Sequence, residues 1–207
     1  MSPRPAIDHV RKPQILDAAA EVIVERGLVN TRIADVAERA GTSAPAVLYW
    51  FETREQLLTA ALIADEEAFA ARLGERLDGA HAAAEKLMLL IEATVAEPRI
   101  DLWIELWARS LHDPVAARER LRRDRVWRSL FAEVIGAGRA AGEFDPAVDP
   151  ELAALSITSF MDGLSVQVTL RDPALTPELM DSLLVEYAER LVGASLRPGL
   201  DAEAVRA

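Results

Sequence analysis

The chain has 207 residues, 51% of them hydrophobic, and its 23 basic and 34 acidic side chains leave a formal net charge of −11. Such a length suits one large domain or two small ones with an ample core, and the absence of cysteine excludes disulfides, thiolate metal sites and thiol nucleophiles together. The N-terminal MSPRPAIDHVRK has no apolar signal core, and no stretch approaches the roughly eighteen apolar residues of a membrane span, so a cytoplasmic protein without membrane contact is expected.

In chain order, residues 1–10 read as a polar, Pro-containing flexible arm, from which Arg4, with Arg11 and Lys12 just beyond it, could reach a phosphate. Ile15, Ala18, Ala19, Val22 and Ile23 then fall on one face of a helix over 11–26 that ends at Gly27. Ile33, Val36, Ala37 and Ala40 make a second short stripe, over 32–40. Gly41 supplies the left-handed residue that stops it, Ser43 caps a third helix over 44–50, and Pro45 is tolerated in that helix's first turn. This spacing is what a helix-turn-helix requires, with the second of its helices free to enter a major groove. An ordinary helical hairpin inside a bundle has the same pattern. Thr31 and Arg32 stand at the mouth of helix two, where free N–H groups and the positive dipole end favour a phosphate. Thr53 and Gln56 form a capping box that opens a long fourth helix to about residue 78.

Beyond Gly79 the pattern stays helical, with segments at about 80–96, 98–111 and 114–141 set off by Pro98 and Asp113–Pro114. Asp149 and Thr176 cap two further helices, to about residues 170 and 196, each with proline in its first turn. The first is apolar almost all round and the second has a broad apolar face, which predicts a pair packed on its own core and against a second subunit. Trp103 and Trp107, and Trp127 and Phe131, are pairs four residues apart on helical faces. With Phe160 and Met161 they suit either an aromatic core or a ligand pocket, and Asp101, Glu105 and Asp162 lie close by in sequence. The six arginines of 118–128 read as a salt-bridged, solvated helix face, and His9, His81 and His112 have no partner at metal-ligand spacing. No phosphate loop, nucleophile elbow or catalytic acid pair is present, so neither an enzyme nor a cofactor is expected.

The pieces ILDAAAEVIVERG, TRIADVAERAGTS and VLYWFETREQLL carry a resemblance. Over residues 11–58 the chain resembles the DNA-binding domain of the TetR family of bacterial transcriptional regulators. It departs from that family in having Leu48 for the usual tyrosine and Arg54 for the usual lysine. The stretch DPELAALSITSFMDGLSVQVTL is weakly similar to the choline-responsive branch. The resemblance implies an all-α protein with a DNA-binding domain over 1–58 and an effector-binding and dimerisation domain over 59–207. DNA contact would fall to Thr31, Arg32, Thr42, Ser43, Ala44, Pro45, Ala46, Tyr49, Trp50 and Arg54. The effector pocket would be lined by Trp103, Trp107, Trp127, Phe131, Phe160 and Met161. The homodimer would meet through Gly163, Leu164, Leu183, Leu184, Tyr187 and Leu191. The partners implied are double-stranded operator DNA, an aromatic or cationic small molecule, and a second copy. The expected role is a repressor released by that molecule; the alternatives are a protein of this fold working through protein contacts alone, and a ligand carrier or enzyme on the bundle. Charge is neutral on the DNA question: residues 1–60 hold seven basic and eight acidic side chains, and the remainder sixteen and twenty-six.

Overall fold

The computed structural model describes residues 5–95 and 100–197. Among them every regular element is a helix: α1 Pro5–Asn30, α2 Ile33–Arg39, α3 Ala44–Trp50, α4 Arg54–Gly79, α5 Ala83–Val95, α6 Ile100–Ser110, α7 Pro114–Ala141, α8 Pro150–Thr169 and α9 Pro177–Val192. The all-α expectation holds. Of the expected arm, residues 1–4 lie outside the described residues and residues 5–10 continue α1, with Pro5 in a first turn where its missing N–H costs nothing. Gly27, at φ 76 and ψ 158, breaks α1 where the end of its apolar stripe predicts. Arg4 and the tail from Pro198 lie outside the described residues.

The chain divides into two compact units. One holds the described residues up to Arg72 with Asp101–Glu105, the other those from Leu73 onward without that stretch. The first is organised around Ile15, Ala19, Val22 and Ile23 of α1, on which Val36 and Ala37 of α2, Val47 of α3 and Leu57 and Leu58 of α4 close. Each of these side chains is removed from water, and a buried aliphatic side chain contributes roughly 1.5–3 kcal/mol. Surface pairs hold α2 in place on α1. Arg39 reaches Glu21 at 2.9 Å and Glu25 at 2.7 Å, and Arg26 reaches Asp35 at 2.9 Å. Exposed pairs add little stability; here they fix orientation.

In the second unit α5 packs on α7 and α9, α7 on α8, and α8 on α9, closing a ring of four helices. Leu87, Leu90 and Ile91, Phe131 and Ile135, Ile157 and Met161, and Leu184 fill its centre, all essentially without solvent exposure. The caps at Asp149 and Thr176 are those expected from the sequence, and Asp113 adds a third. Asp113 accepts from the N–H of Val115 at 2.8 Å and Ala116 at 3.2 Å, Asp149 from Glu151 at 3.0 Å and Leu152 at 3.1 Å, and Thr176 from Leu179 at 3.2 Å. Each satisfies N–H groups that a helix start leaves free.

Candidate functional site

The α2–α3 corner is built by local chemistry. Gly41, at φ 61, lets the Thr42 N–H return to the carbonyl of Ala37 at 2.9 Å and its own N–H to Glu38 at 3.1 Å. These two bonds close a Schellman turn that only a left-handed residue permits. Ser43 then starts α3, its hydroxyl accepting from the Ala46 N–H at 3.3 Å, and Val47 anchors the helix with no exposed surface. With Val47 buried, the opposite side of α3 faces outward. Ser43, Pro45, Leu48 and Tyr49 are exposed, and Thr42, Ala44, Ala46 and Trp50 are half-buried. Tyr49 is 79% exposed and meets the Trp50 ring edge-on at 5.5 Å. A short helix thus presents its N-terminal turn, small side chains and one phenol hydroxyl to solvent, a shape and chemistry that suit base edges and phosphates in a groove.

Arg32, exposed at the N-cap of α2, donates its backbone N–H to Asp35 at 3.3 Å. Arg32 borders an open depression shared with Arg26, Val29, Asn30 and Asp35. Thr31 differs from the expectation. It is 1% exposed, and its hydroxyl donates to the Gly27 carbonyl at 2.9 Å, one of the acceptors released where α1 breaks, so its side chain leaves the candidate surface. Arg54 also points inward. Its Nε donates to Thr31 O at 2.7 Å, its Nη2 to the carbonyls of Leu28 and of Val29, the latter at 3.2 Å, and its Nη1 to Glu55 at 3.3 Å.

The aromatic residues expected to line one pocket fall in both units. Trp103 belongs to the first unit, whereas Trp107, Trp127, Phe131, Phe160 and Met161 belong to the second. Phe131 and Met161 are buried among the core side chains, with Trp127 edge-on to Phe131 at 5.5 Å. Phe160 packs on Tyr187 of α9 at 4.7 Å. The side chains of Asp101 and Glu105 lie outside what the structure describes. The sequence reading missed a polar set in the same unit. Trp107 Nε1, Arg128 Nε, Ser165 Oγ and Thr169 Oγ1 are buried without a hydrogen-bond partner among the described residues. Ser165 and Thr169 follow Asp162 at one-turn intervals along α8. The Asp162 carboxyl is pushed up to about 6, first by lost hydration and next by Asp124 of α7, while Arg128 and Arg120 pull the other way. Burial likewise raises Asp124, against the pull of Arg120 and Arg128. Hydroxyls embedded in an apolar run were the available signal.

The expected dimer residues also divide. Leu164 and Leu184, 7% and 0% exposed, are core residues of the protomer itself. They point inward because α8 and α9 each carry two apolar faces. Gly163 is exposed, and a Cβ there would meet open space. Leu183, Tyr187 and Leu191 are half-buried. Leu152, Leu155, Leu170 and Leu179 are exposed as well, each by more than 40%.

The comparisons with known proteins cover both units. The family model described as BetI-type transcriptional repressor, C-terminal, matches residues 83–193, and that of bacterial regulatory proteins, tetR family, matches residues 15–61. The HTH-type transcriptional regulator BetI of Cronobacter sakazakii is 28% identical over 204 residues, covering 93% of this chain and 96% of that protein. Its counterpart from Serratia proteamaculans is 25% identical over 193 residues, covering 89% and 94%. A candidate transcriptional regulator from Saccharomonospora viridis, solved in complex with choline, superposes with a TM-score of 0.78 at 25% identity, over 86% of this chain and 95% of that one. A candidate TetR-family regulator from a Rhodococcus species superposes with a TM-score of 0.74 at 27% identity, over 88% and 98%.

Proposed function

The chain belongs to the TetR family of bacterial regulatory proteins, with a C-terminal domain of the BetI repressor type, and from that premise we propose that it represses transcription as a homodimer and releases its operator when a small organic cation binds the second unit. It is a DNA-binding transcriptional regulator with a ligand-binding C-terminal domain. The observation that carries the residue assignment is the outward N-terminal turn of α3 over a buried Val47. Thr42, Ser43, Ala44, Pro45 and Ala46 would enter the major groove, with Tyr49, Trp50 and Arg32 on the flanking phosphates. Small side chains at these positions favour methyl and shape contacts over bidentate arginine readout. A regulator of this kind needs no catalysis, and it works in the cytoplasm, where its operator lies. Among the described residues no helix is long and apolar enough to cross a membrane.

The effector class rests on the second unit. Half-buried Trp107 and Trp127 offer ring faces, and Asp124 and Asp162 offer carboxylates that lose hydration in the fold. Together they favour a cation through charge and cation–π attraction. Trp107 Nε1, Ser165 and Thr169 hold polar capacity for a hydroxyl or ether. The choline in the Saccharomonospora viridis relative makes that molecule the first probe. A coupling of roughly 1–3 kcal/mol between effector and operator is enough to switch such a protein. The test is a tryptophan-fluorescence titration with choline, a neutral isostere and aromatic cations, read together with release of bound DNA. Release should track quenching and should weaken in Trp107→Ala; release that leaves the fluorescence unmoved and survives Trp107→Ala would remove the placement.

A further inference from the structure

We propose that Arg54 is a positioning residue for DNA recognition, a clasp that ties the first turn of α4 to the α1–α2 corner and so fixes the angle at which α2 and α3 stand. A helix end leaves its last carbonyls without partners, and Gly27 ends the regular part of α1. Three carbonyls of that corner, those of Leu28, Val29 and Thr31, accept from the single Arg54 guanidinium. Thr31 immediately precedes the N-cap of α2, so the clasp closes on the residue from which α2 departs. The other end of the reading head is held by the same turn of α4. The Gln56 N–H donates to Thr53 Oγ1 at 3.1 Å, and the Gln56 side chain accepts from the Glu52 N–H at 3.0 Å, just beyond the C-cap of α3. One turn of α4 therefore grips the helix-turn-helix on both sides.

Chemistry decides what Arg54 does. Three of its five N–H donors are committed to carbonyls and a fourth to Glu55, so the fork is turned to the corner and the clasp engages it before any phosphate. A planar fork can span three acceptors around it, whereas an ammonium is a point charge on a flexible stem. Charge alone is not what the site uses, and lysine does not replace it.

Counterion release separates the two roles. A duplex selected by the unmodified protein from a random library, and a random duplex of equal length, would be titrated by anisotropy across a salt series with Arg54→Lys and Arg54→Gln, and helix content followed by circular dichroism. Both variants should lose operator affinity by about tenfold and hold the random duplex within about twofold. The slope of log affinity against log salt should stay unchanged, since no phosphate partner is lost. The clasp is overturned if Arg54→Lys binds the operator like the unmodified protein while Arg54→Gln flattens the slope by about 0.9 per protomer, the mark of a phosphate contact. Equal losses on operator and random DNA by a folded variant overturn it too. If the unmodified protein enriches no sequence, the DNA-binding reading fails instead, and the clasp with it.

Discussion

Asp162 combines two properties that seldom coincide. It is exposed by area, yet its carboxyl is pushed up to about 6 by lost hydration and by Asp124 across the α7–α8 seam. The open surface mutes the energy but leaves its sign intact. The folded chain binds this proton more tightly than the unfolded chain, whose carboxyl titrates near 3.8. The stability it contributes is fully present below that value and is lost as pH rises through about 6. Asp162→Asn removes this dependence. Melting temperatures of the two proteins should therefore diverge between the two pH values, with the unmodified protein losing ground as pH rises; parallel curves would show that Asp162 is hydrated like any surface acid. Side-chain direction was the least legible feature at this scale. Thr31 and Ser43 are both hydroxyl residues at helix starts, but the broken end of α1 draws one inward to Gly27 O while the other caps α3. The arginine at position 54 was visible as a departure from the family's lysine; its three carbonyl acceptors come from a corner more than twenty residues away.

Among the elements, α3 is the most dependent on one side chain. It has seven residues, too few for a helix to persist on propensity alone, and its start rests on the Ser43 hydroxyl. Ser43→Ala should cost about 1 kcal/mol of stability and Ser43→Gly only a few tenths, measurable by denaturant unfolding. Operator affinity should fall in the same order. Equal costs would mean the hydroxyl is not the cap. Helix existence was highly legible: residues 44–50 and 114–141 of the sequence reading coincide with α3 and α7, because glycine, proline and capping residues bracket both. Face assignment in α8 and α9 was not. A helix apolar on two sides does not declare which side meets its own core, and so Leu164 and Leu184 read as interface residues while Leu155 and Leu179 stand outside.

For the whole molecule, the motif boundary at residue 58 and the compactness boundary between Arg72 and Leu73 differ because α4 runs unbroken from Arg54 to Gly79, with Leu57, Leu58, Ala61 and Leu62 closing the first core. Gly74 stands beside the later position, but it lies inside α4 and does not interrupt the helix. The dimer proposal belongs at this scale, since a two-fold operator calls for two heads. Light scattering at micromolar concentration should give twice the chain mass. Leu155→Glu with Leu179→Glu should give a folded monomer, because both side chains are exposed in the protomer and charge there forbids only the partner. Leu184→Arg should unfold the chain by burying an unpaired charge. A monomeric unmodified protein would end the dimer reading.

That α3 reads DNA is tested most directly by an anisotropy titration of the selected operator and of a random duplex at one salt concentration, with the unmodified protein and Ala44→Glu. The expected result is at least the roughly thousandfold preference for the operator typical of specific binders, abolished by Ala44→Glu while the fold is kept. An Ala44→Glu protein that binds the operator as tightly as the unmodified chain would contradict it.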